Sequence, residues 1–95
     1  MGGIRRLVLD VLKSHEPSNV FFAIKLSQVK NVEGVNITLS EIDQETESVK
    51  ITIVGTSIDY EEIRKVIEDL GGVVHSIDEV VAGKTIVESV KTEQD

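Results

Sequence analysis

Cysteine is absent from the chain, which excludes disulfides, zinc–thiolate centres and thiol catalysis. Tryptophan is absent too, and the only aromatic residues are Phe21, Phe22 and Tyr60. There is one proline, Pro17. Long apolar runs are missing: "MGGIRRLVLDVLK" begins basic and turns apolar, but Asp10 interrupts it, and nothing approaches the ~20 apolar residues of a membrane span. A myristoylation signal would need Ser or Thr where Arg6 stands. Positive charge is scarce as well. Seventeen acidic against ten basic residues give a net charge of −7, which repels phosphate backbones and argues against a nucleic-acid partner. The expectation is a cytoplasmic protein with no membrane attachment. Low Asn and Gln content and abundant charge are compatible with a heat-adapted source.

What is present is a globular composition. Forty per cent of the residues are hydrophobic, nearly all Val, Ile and Leu, enough for a core but not for two. One domain over residues 1–83 is expected, followed by a polar tail over 84–95. Alternation in "IRRLVLDVL" sets Leu7, Leu9 and Val11 against Arg6, Val8 and Asp10, the pattern of a half-buried strand. A helix is expected from about Ser18 to Lys30. "VNITLSEID" places Val35, Ile37 and Leu39 on one face. After the polar "QETE" turn, "SVKITIVG" places Val49, Ile51 and Ile53 inward. The second helix has the clearest signals: Asp59 as N-cap with Glu62 completing a capping box, Ile58 and Ile63 as a staple, and Gly71 as C-cap. Between the caps, Ile63, Val66, Ile67 and Leu70 form one apolar stripe. "VVHSIDEVVA" is the last strand.

The order βαββαβ with right-handed crossovers defines an α+β, ferredoxin-like plait. It has a four-stranded antiparallel sheet in the order 4-1-3-2, with both helices on one face. The segments "RRLVLDVLK", "HEPS", "GVNITLSEID" and "GGVVHSIDEVVAGK", which span nearly the whole chain, resemble an archaeal domain-of-unknown-function family, number 211. The resemblance implies the ferredoxin-like fold and a tendency to form closed homo-oligomers, including rings. It implies no activity and no catalytic residues.

Four short segments carry residues capable of chemistry. In "HEPS", His15 and Glu16 could ligate a metal, yet Pro17 and Ser18 are explained by a strand-to-helix turn in which Ser18 caps the helix, leaving His15 without a role. His75 lies between Val73 and Ile77. The parity that faces the helices is preferred for it, because the opposite parity buries Asp78. Glu41, Asp43, Glu45 and Glu47 suggest a calcium loop, but the glycine of its sharp turn is missing, so a solvated hairpin tip is expected. "AGKT" fails as a phosphate-binding loop because Asp78 stands where its first glycine belongs.

The open face of the sheet is expected to carry Arg6, Val8, Asp10 and Leu12, then Lys50, Thr52 and Val54, then Ser76, Asp78 and Val80. It lacks the rings with which RNA-binding plaits stack bases and the paired cysteines of soft-metal carriers. Asp10 and Asp78 on neighbouring strands could share Ca2+ or Mg2+, although salt bridges to Arg6 and Lys50 are the favoured alternative. The first helix is apolar over too wide an arc for one sheet to cover, and Phe21 falls in its polar sector beside Lys25 and Gln28, which marks those residues as a candidate interface. The resulting expectation is a cytoplasmic, homo-oligomeric binding or scaffolding module. The alternative is an enzyme whose site is assembled between subunits from His15 or His75 and nearby carboxylates.

Overall fold

A computed structural model describes residues 3–89. Six elements follow one another: β1 (Ile4–Ser14), α1 (Asn19–Ser27), β2 (Val32–Ile42), β3 (Thr46–Ile58), α2 (Tyr60–Asp69) and β4 (Val73–Ala82). The four strands form one antiparallel sheet in the order β2-β3-β1-β4, which is the expected 4-1-3-2 arrangement.

The core forms on one side of that sheet. Leu7, Leu9 and Val11 of β1 and Val49, Ile51 and Ile53 of β3 are fully or almost fully buried, together with Phe22 and Leu26 of α1 and Ile63 and Ile67 of α2. Because alternate strand residues share a face, both helices must cover the same side. Each such aliphatic side chain contributes ~1.5–3 kcal/mol by leaving water. Val35, Ile37 and Leu39 share one face as expected, paired with the buried Ile53, Ile51 and Val49, but Ile37 is only partly buried and Leu39 is exposed. β2 is an edge strand with a register shift between Leu39 and Glu41, so its outer half runs past the helices.

The ends of α2 follow their sequence signals. Asp59 Oδ1 accepts from the N–H groups of Glu61 and Glu62, and Ile58 and Ile63 are both buried in the core. At the C-terminus, Gly72 N–H donates to Ile67 O and Gly71 N–H to Glu68 O, with Gly71 at φ +91°. That is the two-bond closure for which a glycine in the left-handed region is suited. Helix α1 starts as expected, Ser18 Oγ accepting from Phe21 N–H, but it ends at Ser27 rather than Lys30. Gln28 and Val29 tighten to i→i+3 bonds on Lys25 and Leu26, and Asn31 then takes a left-handed φ of +72°.

Strand β3 runs three residues beyond its expected end, to Ile58. Gly55 permits this, because a Cβ there would collide with the Asn31 carbonyl that accepts from Thr56 N–H. After β4 the chain returns to β1, where Lys84 O accepts from Arg5 and Glu88 pairs with Arg6. Residues 90–95 of the expected tail lie outside the described residues.

Candidate functional site

The alternation that buries Leu7, Leu9 and Val11 continues to Lys13, and on β3 it runs back from Val49 to Glu47. Lys13 and Glu47 face one another in the register, and both are buried, at 2% and 8% exposure. Lys13 Nζ donates to Glu47 Oε2 at 2.9 Å and lies 5.0 Å from the centroid of the Phe22 ring. The expected solvated carboxylate of the hairpin is therefore an interior anion, because β3 begins at Thr46 and Glu47 already belongs to the sheet.

His15 completes the cluster. Its Nδ1 donates to Glu47 Oε1 at 2.9 Å, and its Nε2 faces the carbonyl oxygens of Asp43 at 3.1 Å and Gln44 at 3.0 Å. Every partner is an acceptor, and only the imidazolium carries a proton on both nitrogens. The hydrogen bond to Glu47 raises the His15 pKa above its ordinary value, aided by the Gln44 carbonyl. In return the His15 and Lys13 hydrogen bonds hold the Glu47 carboxyl below the usual range. The "HEPS" turn thus does two jobs: Ser18 starts the helix, and His15 pins the β2–β3 turn to the end of β1.

On the open face, Asp78 accepts from Ser76 Oγ at 2.7 Å and pairs with Lys50 Nζ at 3.1 Å, and these bonds lower its pKa, that to Ser76 most. Lys50 lies on β3 and Asp78 on β4, so the lysine reaches across β1 at Asp10, its direct cross-strand partner. Arg6 bonds to Glu79 and Glu88 instead of to either aspartate.

Strand β4 bulges at two places relative to β1, between the pairs Asp10–Ser76 and Val11–Val74, and between Val8–Glu79 and Leu9–Ile77. The first makes His75 an extra residue, which is exposed and lines an open-face cavity of about 250 Å³ with Asp10, Leu12, Glu41 and Ser48. That overturns its expected place at the core edge. The second pairs Val80 with Leu7, so Val80 belongs to the helix side and not to the open face. Among the described residues, no three His, Asp or Glu side chains converge as a metal site would require.

Helix α1 turns Phe22 and Leu26 inward and leaves Val20, Phe21 and Ile24 outward at 69%, 41% and 52% exposure. Lys25 Nζ lies 5.5 Å from the Phe21 ring centroid. Gln28 forms the helix C-cap and is exposed. No helix among the described residues is long and apolar enough to cross a membrane.

A four-stranded antiparallel plait with both helices on one face and an open face free of aromatic rings is a ferredoxin-like α+β protein. Within that class, the profile of domain-of-unknown-function family 211, described as "Uncharacterized ArCR", matches residues 5–95, and the chain belongs to this family. It is similar to "Uncharacterized protein MJ0319" of the archaeon Methanocaldococcus jannaschii. The two are 60% identical over 95 residues, covering 100% of this chain and 98% of that protein.

Proposed function

We propose that the protein is a cytoplasmic, homo-oligomeric binding or scaffolding module with no catalysis of its own. The outward apolar face of α1 carries this reading. Val20, Phe21 and Ile24 are adjacent on the helix surface, and in a single copy they meet water. Both sheet edges add to it, because β2 leaves Leu39 and Ile42 exposed and β4 leaves Val73, Ile77 and Val80 exposed. An apolar, unpaired edge strand favours association, and two unlike edges suit a head-to-tail contact that closes into a ring. Asp10 and Asp78 are the proposed ligands of a divalent cation, Ca2+ or Mg2+.

Native mass spectrometry with and without calcium or magnesium tests the proposal. The expected result is a single closed oligomer whose mass rises by bound cation. A monomer under both conditions overturns the reading.

The cavity that brings His75 to Asp10, Glu41 and Ser48 favours a second reading, an enzyme whose site is completed by a neighbouring subunit. A substrate panel on the parent and on His75→Ala separates the two. Activity lost with the imidazole supports the enzyme, and an oligomer indifferent to the change supports the module.

A further inference from the structure

At the end of the sheet opposite His15, a cavity of about 550 Å³ is lined by Arg5, Asn31, Thr56, Ser57 and Lys84. Its charge is unusual for this chain. Arg6 and Arg64 are each held by two carboxylates, Glu79 and Glu88 for the first, Glu61 and Glu68 for the second. Arg5 is held by backbone instead: Nε donates to Gly55 O at 3.1 Å and Nη1 to Lys84 O at 2.6 Å. Among the described residues neither Arg5 nor Lys84 has a carboxylate partner, although acidic residues outnumber basic ones seventeen to ten. Among the described residues, no acidic one lines the cavity.

The walls are also fixed in advance. Two carbonyls hold the guanidinium plane, leaving its other N–H groups available. Asn31 Nδ2 donates to Ser57 O at 3.1 Å, and Thr56 N–H donates to Asn31 O at 3.1 Å, so the loop after α1 is tied to the end of β3. Asn31 and Ser57 both sit at positive φ, +72° and +54°, and they are the only non-glycine residues described that do. Such conformations persist where the surroundings over-determine them.

We propose that this cavity binds a small phosphate dianion, either a phosphate monoester or free phosphate. The Arg5 guanidinium and Lys84 ammonium supply two positive charges, and the Thr56 hydroxyl supplies a donor. Two cations match a dianion better than a single carboxylate, and a planar guanidinium suits the paired oxygens of phosphate. A volume of about 550 Å³ is in the range that holds a whole small metabolite. This site lies within one chain and does not depend on the assembly proposed above.

Calorimetry at fixed ionic strength on the full chain tests it, with inorganic phosphate, glycerol phosphate and acetate as probes. Saturable binding of a phosphate probe at one site per chain is expected, with acetate at least about tenfold weaker. Lys84→Gln removes an exposed charge and should weaken the phosphate probe about tenfold, the value of one charge-assisted hydrogen bond. Arg5→Gln, checked for folding by circular dichroism, should weaken it at least as much. Tighter binding of glycerol phosphate assigns the site to a monoester, and tighter binding of inorganic phosphate assigns it to the free anion. Heats that do not saturate, equal affinity for acetate, or an affinity unchanged by Lys84→Gln would overturn the proposal.

Discussion

His15 Nδ1 and Glu47 Oε1 are 2.9 Å apart, while the other oxygen of the same carboxylate accepts from Lys13 Nζ. One buried anion therefore serves two cations, one from within β1 and one from the turn that follows it. Removing the anion leaves Lys13 charged and desolvated beneath Phe22. Glu47→Gln should accordingly lower unfolding free energy by about 3 kcal/mol, the usual consequence of breaking a buried pair from one side. Denaturant titration measures this. Adding Lys13→Met should recover part of the loss, since an apolar side chain of similar length needs no counter-charge. A double variant less stable than Glu47→Gln alone would show that the ammonium is satisfied by something other than Glu47.

The same cluster sets a pH window. The His15 pKa is raised in the folded protein, so its contribution is complete below the unfolded value near 6.5 and is lost as pH rises through the folded value. The Glu47 pKa is lowered, so its contribution is present above the ordinary carboxylate value and is lost as pH falls through the folded one. Between those limits both groups are charged and all the bonds of the cluster are made. Melting temperature measured from acid to mildly alkaline pH should fall on the alkaline side for the parent, and less for His15→Asn. Parallel curves for the two proteins across neutral pH would remove His15 from the account.

Part of this was open to reading from the residues alone. Caps are local chemistry, so Ser18, Asp59 and Gly71 announce the helix ends without knowledge of the fold. The Lys13–Glu47 pair also had a signal, because extending the period-two pattern one step beyond Val11 and one step before Val49 places opposite charges face to face. Against that signal stands the rule that lysine and glutamate belong outside, which holds only when they lack partners. The bulges that turn His75 outward and Val80 inward had no comparable signal. They arise from how β4 fits against β1, a relation between two segments that neither segment encodes by itself. The exposure of Leu39 is not local either: alternation gives its face, which its pairing with Val49 matches, but not whether a helix reaches that far.

Lys50 controls the open face. Its ammonium is bound to Asp78 and passes over Asp10, so any divalent cation there must first displace it. Lys50→Met releases Asp78 from its ion pair and removes the positive charge beside Asp10, and should raise calcium affinity about tenfold. Calorimetry on the variant, and on the variant with Asp10→Asn added, decides the matter. Affinity that does not rise, or that survives the loss of Asp10, places any cation site elsewhere.

The outward face of α1 gives the last prediction. Phe22 and Leu26 anchor the helix to the core, whereas Val20, Phe21 and Ile24 point outward and lie outside the buried cluster. With roughly half its surface still in water, each can contribute on the order of 2 kcal/mol on being covered, before the cost of ordering the interface. Lys25 already lies over the Phe21 ring, which keeps an ammonium at the edge of the patch, where it can remain hydrated or pair with a neighbouring copy's carboxylate. Phe21→Glu places a carboxylate in the middle of the patch, and Ile24→Glu does so at its far side. Both variants should keep the circular dichroism spectrum and melting temperature of a folded plait while light scattering records a smaller particle. Phe21→Leu, which keeps the surface apolar, should remain assembled. If Phe21→Glu and Ile24→Glu assemble as the parent does, α1 is not the contact, and the exposed edges β2 and β4 become the surfaces to disrupt next.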